Sequence, residues 1–164
     1  MLVIGAAGLS LLVAGACGDV GTGFEVNPVL PLEEVEFAPE LGIDTTLFRV
    51  QSGVWVHDDL AGDSLAPAAA AGDLARLYYQ GWTSAGVLFD QVREDDGSPA
   101  ALRLGASGPM PGLSAGVTGM RPGGERTVLV PPALGFGGAE LPQVPANSWL
   151  VLRLRLVSLE GAGN

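Results

Sequence analysis

Residues 126–138 read Arg-Thr-Val-Leu-Val-Pro-Pro-Ala-Leu-Gly-Phe-Gly-Gly, and this stretch decides how the chain around it folds. Its first residues alternate with the period of a β-strand, Val128 and Val130 on one face and Thr127 and Leu129 on the other. The strand must end at Pro131, because proline donates no hydrogen bond to a ladder. In the loop that follows, Phe136 lies between glycines, and the loop contains no nucleophile, general base or metal ligand. Any chemistry here must therefore rely on shape, apolar contact and backbone hydrogen bonds.

The composition of the 164 residues predicts one domain with a short appendage, since 48% hydrophobic residues are enough to form a core. The formal net charge of -10 opposes binding to nucleic acid, whose phosphates are neutralised by clustered lysines and arginines. Cys17 is the only cysteine and His57 the only histidine. We therefore expect no disulfide within the chain, no metal site and no cofactor.

Residues 1–16 form an uninterrupted apolar run, too short to cross a bilayer comfortably and typical of the core of a signal peptide. The run ends in Val13-Ala14-Gly15-Ala16-Cys17, which resembles the lipidation site of bacterial lipoproteins, although Ala14 stands where leucine is favoured. We expect residues 1–17 to be a signal peptide and Cys17 to carry a lipid anchor. The protein would then be a membrane-anchored lipoprotein of the cell envelope, facing the periplasm or another extracytoplasmic space. The alternative is a buried core helix with an incidental cysteine.

Residues 18–44 are rich in glycine, proline and acidic side chains, which predicts an extended tether. Residues 45–160 would then form the folded domain. The alternative for the tether is an edge strand packed on the domain, which Val35 and Phe37 would allow.

Apolar runs indicate five or six strands, at residues 45–56, 74–82, 87–89, 102–104, 126–130 and 149–159. The last is the clearest, with four leucines on one face, Leu150, Leu152, Leu154 and Leu156. His57-Asp58-Asp59 is predicted to open a polar loop after the first run. Apolar residues from Met110 to Met120, at spacings of three and four, predict one short helix. The pattern favours an α+β fold in which a five- to six-stranded antiparallel half-barrel sheet wraps around that helix.

Asp90 directly follows the apolar segment Val87-Leu88-Phe89. A carboxylate beside buried aromatic rings is costly unless it is hydrogen-bonded, and the phenol of Tyr79 is an available donor. A solvent-facing carboxylate at the end of a strand is equally compatible with the residues alone.

The order of these pieces resembles that of the FKBP-type peptidyl-prolyl cis/trans isomerases over residues 45–160. The resemblance is carried by Gly72-Asp73-Leu74, Leu77-Tyr78-Tyr79-Gln80-Gly81, Gly86-Val87-Leu88-Phe89-Asp90, Leu104-Gly105, Gly112-Leu113, Gly116-Val117, Gly119-Met120-Arg121-Pro122-Gly123, Val130-Pro131-Pro132, Gly135-Phe136-Gly137 and Val144-Pro145-Ala146-Asn147-Ser148-Trp149-Leu150-Val151-Leu152. The half-barrel around one short helix that this family adopts agrees with the pattern of strands and helix.

The resemblance implies an apolar substrate pocket between the sheet and the helix. Its catalytic residues would be Tyr79, Phe89, Asp90 and Phe136, and its substrate-binding residues Met110, Leu113, Val144 and Leu152. Phe136 stands where the family often has tyrosine, Ala100 where many members have an aromatic residue, and Pro109 where the pocket rim is aliphatic. These departures predict a wider pocket with fewer hydrogen bonds. For each aromatic residue, ordinary core packing is the alternative.

By this resemblance, the expected function is isomerisation of Xaa-Pro bonds in exported polypeptides, by a monomer held to a membrane through its N-terminal lipid. The alternative is a binding or chaperone module with the same fold and little turnover, which Phe136 and Ala100 favour. A structural lipoprotein domain without a pocket would require the aromatic residues to be dispersed through the core.

Overall fold

The computed structural model describes residues 28–105 and 110–161, which contain seven strands and one α-helix. The strands are β1 (Arg49–Gln51), β2 (Val54–Leu60), β3 (Leu74–Thr83), β4 (Leu88–Val92), β5 (Ala100–Arg103), β6 (Glu125–Val130) and β7 (Leu150–Glu160), and the helix is α1 (Pro111–Val117). Every strand pairing is antiparallel, in the order β1-β2-β6-β7-β3-β4, and β5 pairs with β3. The predicted α+β class, with one open antiparallel sheet and one short helix, is confirmed.

The inner face of the sheet, which we define as the face toward α1, holds the main core. The four leucines predicted to share a face of β7 are all at most 2% exposed. They join Val54, Val56, Val128 and Val130 from β2 and β6, and Val117 from α1, in one buried cluster, which we call the inner cluster. The alternation in the sequence therefore predicts correctly which face of β7 is buried toward the helix.

The sheet has one more strand than the upper end of the prediction, because residues 45–56 form a hairpin and not a single strand. Ser52 and Gly53 have φ angles of 49° and 82°, and two consecutive positive values form the tight turn of a two-residue hairpin. The strand after the turn runs through His57-Asp58-Asp59, which had been predicted to open a loop. In β2, Asp58 lies opposite Arg126 of β6, so its polar side chain has a partner within the sheet.

Residues 28–44 are not the extended tether predicted for residues 18–44. Together with residues 45–48 they form a segment, which we call the cover, that packs on the outer face of the sheet through short 3-10 turns. Leu41, at 3% exposure, is buried with Leu129, Trp149 and Val151 in a second core, the outer cluster. The Nε1 of Trp149 also donates to the carbonyl oxygen of Leu30 at 2.8 Å. Apolar burial and backbone hydrogen bonds thus outweigh the preference of proline and acidic residues for an extended chain.

The predicted signal peptide, the lipidated Cys17 and residues 18–27 of the predicted tether lie outside the described residues. Within the described ranges, no helix is long and apolar enough to cross a membrane.

Candidate functional site

The β3–β4 hairpin brings Tyr79 and Asp90 together. Gly81 lies opposite Asp90 in the register, so Tyr79 is its diagonal neighbour on the same face. The hydroxyl of Tyr79 donates to Oδ2 of Asp90 at 2.7 Å. Asp90 remains exposed as a residue. The carboxylate therefore accepts the phenol and is also exposed to solvent, but it lies in the middle of β4 and not at the end of a strand.

Tyr79 is held in its neutral, donating form. Burial raises the pKa of its phenol to about 12, and the hydrogen bond to the carboxylate of Asp90 and the negative charge of that carboxylate act in the same direction. At neutral pH the phenol therefore keeps its proton and orients one oxygen of the carboxylate.

Phe89 and Phe136 form an aromatic pair on the inner face. Their ring centroids are 5.7 Å apart and the rings are nearly perpendicular, at 85°. Phe89 fits there because residue 81 is glycine: a Cβ at Gly81 would lie 2.7 Å from Cζ of Phe89 and 3.1 Å from Cδ2 of Leu152. Both rings are partly exposed and pack on the inner cluster. They are therefore not dispersed through the core but form one patch at its edge.

The other residues of the predicted site adjoin the same inner cluster. Tyr79, Met110 and Leu113 are partly buried against it, so each keeps some exposed surface. Leu152 is fully buried and Val144 is 2% exposed, so neither offers appreciable surface for the substrate binding that the resemblance implied for them. Residues 106–109, which include Pro109 at the predicted rim, lie outside the described residues.

Helix α1 lies unusually close to strand β6. A Cβ at Gly112 would lie 2.3 Å from Cγ1 of Val130, and a Cβ at Gly116 would lie 2.9 Å from Cγ2 of Val128. The two glycines, which weaken the helix intrinsically by about 1 kcal/mol each relative to alanine, are thus required for the approach. Met110 and Leu113 are placed on the site by this contact.

Sequence reasoning missed a polar group beneath this helix. Arg126 is 3% exposed, and its Nε donates to Oδ1 of Asp58 at 2.6 Å. Its Nη1 donates to the carbonyl oxygens of Gly116 at 2.8 Å and Thr118 at 3.0 Å. The alternation of β6 places Arg126 on the inner face with Val128, and this signal was available in the sequence.

The carboxylate of Asp58 is correspondingly stabilised. Burial alone would raise its pKa, but hydrogen bonds from Arg126 and Arg49 and the charges of both guanidinium groups outweigh burial and lower the pKa below 3.8. Asp58 therefore stays ionised at neutral pH and holds the buried guanidinium in place.

A cavity also lies on the outer face. It has a volume of about 600 Å³ and lies beside the cover, and residues of β3, β6 and β7, Tyr79 among them, line it. Phe89, Asp90 and Phe136 are not among its lining residues. Its walls mix arginines with acidic side chains, and Arg155 is already paired with Glu94. The aromatic pair and the Tyr79–Asp90 hydrogen bond lie on the inner face, so the candidate site is the inner face and not this cavity.

Comparisons with known proteins agree with the fold described above. A model of the family described as FKBP-type peptidyl-prolyl cis-trans isomerase matches residues 66–157. FK506-binding protein 3 of Candida albicans is 40% identical over 108 residues, which are 66% of this chain and 24% of that protein. A peptidyl-prolyl cis-trans isomerase of Saccharomyces cerevisiae is 34% identical over 111 residues, 68% of this chain and 26% of that protein. The crystal structure of FkpA from Escherichia coli is similar with a TM-score of 0.63 and 28% identity, covering 76% of this chain and 56% of that chain. The chain spans about a quarter of the length of these two curated relatives.

Proposed function

Because the chain belongs to the FKBP-type peptidyl-prolyl cis-trans isomerase family, we propose that it isomerises Xaa-Pro bonds in polypeptide clients at the inner-face site. The observation that supports this most directly is the perpendicular pair of Phe89 and Phe136, combined with the Tyr79–Asp90 hydrogen bond on the same hairpin. The pair offers the edge and face of two rings to a proline, and the carboxylate of Asp90 lies on the same hairpin as Phe89.

The chemistry required is modest and fits an apolar site. Rotation about a peptide bond faces a barrier of about 18–20 kcal/mol, because conjugation is lost in the twisted amide. A site that excludes water and holds the proline ring favours the twisted form over the planar one without covalent chemistry. Each tenfold acceleration requires about 1.4 kcal/mol of such preference. In this proposal the rings of Phe89 and Phe136 hold the proline, and Met110 and Leu113 close the side toward α1.

The test is the rate of cis/trans isomerisation of a proline peptide, in a protease-coupled or refolding assay, with the chain from residue 28 onward. Wild type should accelerate the reaction, and Phe89→Ala and Phe136→Ala should each lower kcat/KM by about tenfold or more. Phe48→Ala is the matched control, because Phe48 packs on the outer cluster, away from the site. No acceleration by the folded wild-type chain would reject the proposal.

A second variant separates the carboxylate from the rings. Asp90→Asn keeps the size of the side chain but removes its charge, and we expect a lower kcat/KM with a smaller change in stability than Phe89→Ala causes. Asp63→Asn, on the exposed loop before β3, is the control for loss of one negative charge.

The alternative function, a binding or chaperone module with little turnover, is favoured by one feature of the site. Phe136 supplies a ring without a hydroxyl, so the site has one hydrogen-bond donor fewer than a tyrosine there would give it. Suppression of client aggregation by wild type, without faster isomerisation, would support this function instead.

The proposed location is the surface of a cell-envelope membrane, where the clients would be exported polypeptides. The apolar run ending at Cys17 supports it. If Cys17 is lipidated, the ten residues from 18 to 27 reach at most about 35 Å to the packed cover. Metabolic labelling with a fatty acid should then mark wild type and not Cys17→Ser, and only wild type should sediment with membranes. Equal labelling or equal sedimentation of the two would reject the anchor.

A further inference from the structure

Three residues of β6, at every second position of the strand, face helix α1. Val130 lies under Gly112, Val128 lies under Gly116, and Arg126 reaches the carbonyl oxygens of Gly116 and Thr118 at the end of the helix. The first two contacts are apolar, since each places a valine methyl group against a glycine. Contacts of this kind hold the helix close to the strand but have no directional preference.

The contact of Arg126 is different because it is directional. A guanidinium has donors in a fixed plane, and here one edge is bound by Asp58 while Nη1 bridges two carbonyl groups that no residue of the helix satisfies. Asp58 is held in turn by Arg49 at 2.7 Å. From β1, Gln51 donates to the carbonyl oxygen of Thr118 at 2.7 Å. Side chains of β6 and β1 therefore contact the end of α1 directly, and Asp58 of β2 holds Arg126 in place.

The position of α1 along β6 sets the geometry of the site. Met110 and Leu113 belong to α1 and its start, whereas Phe136 belongs to the loop that leaves β6 after Val130. The carbonyl oxygen of Leu134, in that loop, would lie 3.0 Å from a Cβ at Gly112, so the helix and the loop are in close contact. A shift of the helix along the strand would change the distance between Leu113 and Phe136 directly.

We propose that Arg126 is a positioning residue that fixes the register of α1 on β6 and thereby the spacing between the two sides of the site. Within the described residues, its side chain donates to Asp58 and to the carbonyl oxygens of Gly116 and Thr118, so Arg126 acts on the site through the helix. Where it concerns turnover, this inference rests on the proposed isomerase function.

The test compares Arg126→Leu with Arg76→Leu. Arg76 also forms an ion pair, with Glu160 at 2.8 Å, but on the surface and away from α1. Hydrogen exchange is followed in two peptides, one containing residues 110–118 and one from β7. In Arg126→Leu, the amides of α1 should exchange about tenfold faster relative to those of β7, because the helix opens locally. Arg76→Leu should leave that ratio unchanged.

The activity measurement gives the second readout. Arg126→Leu should lower kcat/KM by about tenfold or more, and Arg126→Lys, which keeps the charge but cannot bridge Asp58 and two carbonyl groups, should lie in between. A purely structural role would raise exchange in both peptides by the same factor, and this result would overturn the proposal.

Other outcomes remain decisive. If Arg126→Leu does not fold, the same exchange ratio is measured in Arg126→Lys, and a ratio equal to that of wild type overturns the proposal. If wild type shows no isomerase activity, the proposed function fails, and the exchange ratio still decides whether Arg126 positions the helix.

Discussion

Replacement of Leu41 by alanine tests whether the cover is part of the folding unit. Leu41 is 3% exposed in the outer cluster, whereas Leu65 is 93% exposed and provides a matched control for the same change. Leucine-to-alanine substitutions at buried positions cost about 2–5 kcal/mol, the sum of lost transfer free energy and a cavity. Because Leu41 lies in a segment that can relax toward solvent, we expect Leu41→Ala to cost about 2–3 kcal/mol, at the lower end of that range.

The chain supplies its own probe for this experiment. All three tryptophans, Trp55, Trp82 and Trp149, belong to the outer cluster, so intrinsic fluorescence reports on the face under the cover. Far-ultraviolet circular dichroism reports on the sheet as a whole. In urea, both signals of wild type should change together, since Leu129 and Val151 of the outer cluster are fully buried residues of β6 and β7.

Two outcomes of the Leu41→Ala experiment are informative. If the free energy of unfolding falls by about 2–3 kcal/mol with coincident signals, the cover and the sheet unfold as one unit. If Leu41→Ala matches Leu65→Ala within about 0.5 kcal/mol, the burial of Leu41 contributes nothing measurable, and the reasoning is refuted.

Three further predictions concern the site and its support. Gly112→Ala should lower the free energy of unfolding by about 1–2 kcal/mol and slow isomerisation, because overpacking at 2.3 Å outweighs the gain of about 1 kcal/mol in helix propensity. Gly138→Ala, where an added Cβ would meet nothing within 4 Å, is the control, and a stabilised Gly112→Ala would contradict the close approach of helix and strand. The raised pKa of Tyr79, about 12 against 10.0, contributes stability below pH 10 that is lost as pH rises toward 12. Phenolate absorbance should show this late ionisation, and in Asp90→Asn it should occur at lower pH because the negative charge is gone; an unchanged titration would argue against an effect of that charge on Tyr79. The lowered pKa of Asp58 contributes stability that is present above pH 3.8 and lost as pH falls further, so Asp58→Asn should show a weaker loss of stability in acid, and an equal loss would contradict the ion pair.

The sheet could be predicted because its strands obey a simple period. The leucines of β7 lie every second residue, and burial of one face follows from that spacing alone. The hairpin at Ser52 and Gly53 was missed for the same reason, since apolar residues on both sides of the turn resemble one continuous strand. A turn with two positive φ angles is signalled by Asn-Gly or Asp-Gly far more strongly than by Ser-Gly.

The packing of the cover could not be predicted from one period. Leu32, Val35, Ala38 and Leu41 are three residues apart, but Phe37, Ile43 and Phe48, which also pack on the outer cluster, do not follow that spacing. Short 3-10 turns bring them to one face, and no helical or strand pattern predicts such a path. The proline and acidic residues between them favour an extended tether when the sequence is considered without the sheet.

The candidate site residues follow from the resemblance, whereas the polar contacts beneath α1 do not. The residues alone left open whether Asp90 meets Tyr79, because that contact depends on the register of a hairpin with a bulge. Arg126 was missed because an arginine is almost never fully buried unless it is paired, and its partners come from β2 and from the end of α1. The alternation of β6 signals the face on which Arg126 lies, but long-range polar partners of this kind leave no local pattern.

The cover, on the outer face of the sheet, contacts the β3–β4 turn, and the strand after that turn carries Phe89 of the candidate site on the inner face. A chain used for activity measurements must therefore include the cover. The N–H of Ala38, in the cover, donates to the carbonyl oxygen of Ser84 at 2.8 Å. A Cβ at Gly86 would lie 2.6 Å from Oε1 of Glu40, so the turn packs tightly against the cover. The same hairpin carries Phe89 two residues after Val87, at the start of β4. Removing the residues before 45 would therefore expose the outer cluster and also free the turn that positions the aromatic pair. A loss of activity in such a shortened chain would therefore not show whether the outer cluster or the candidate site had been disturbed. Single substitutions in the chain from residue 28 onward change one of them at a time.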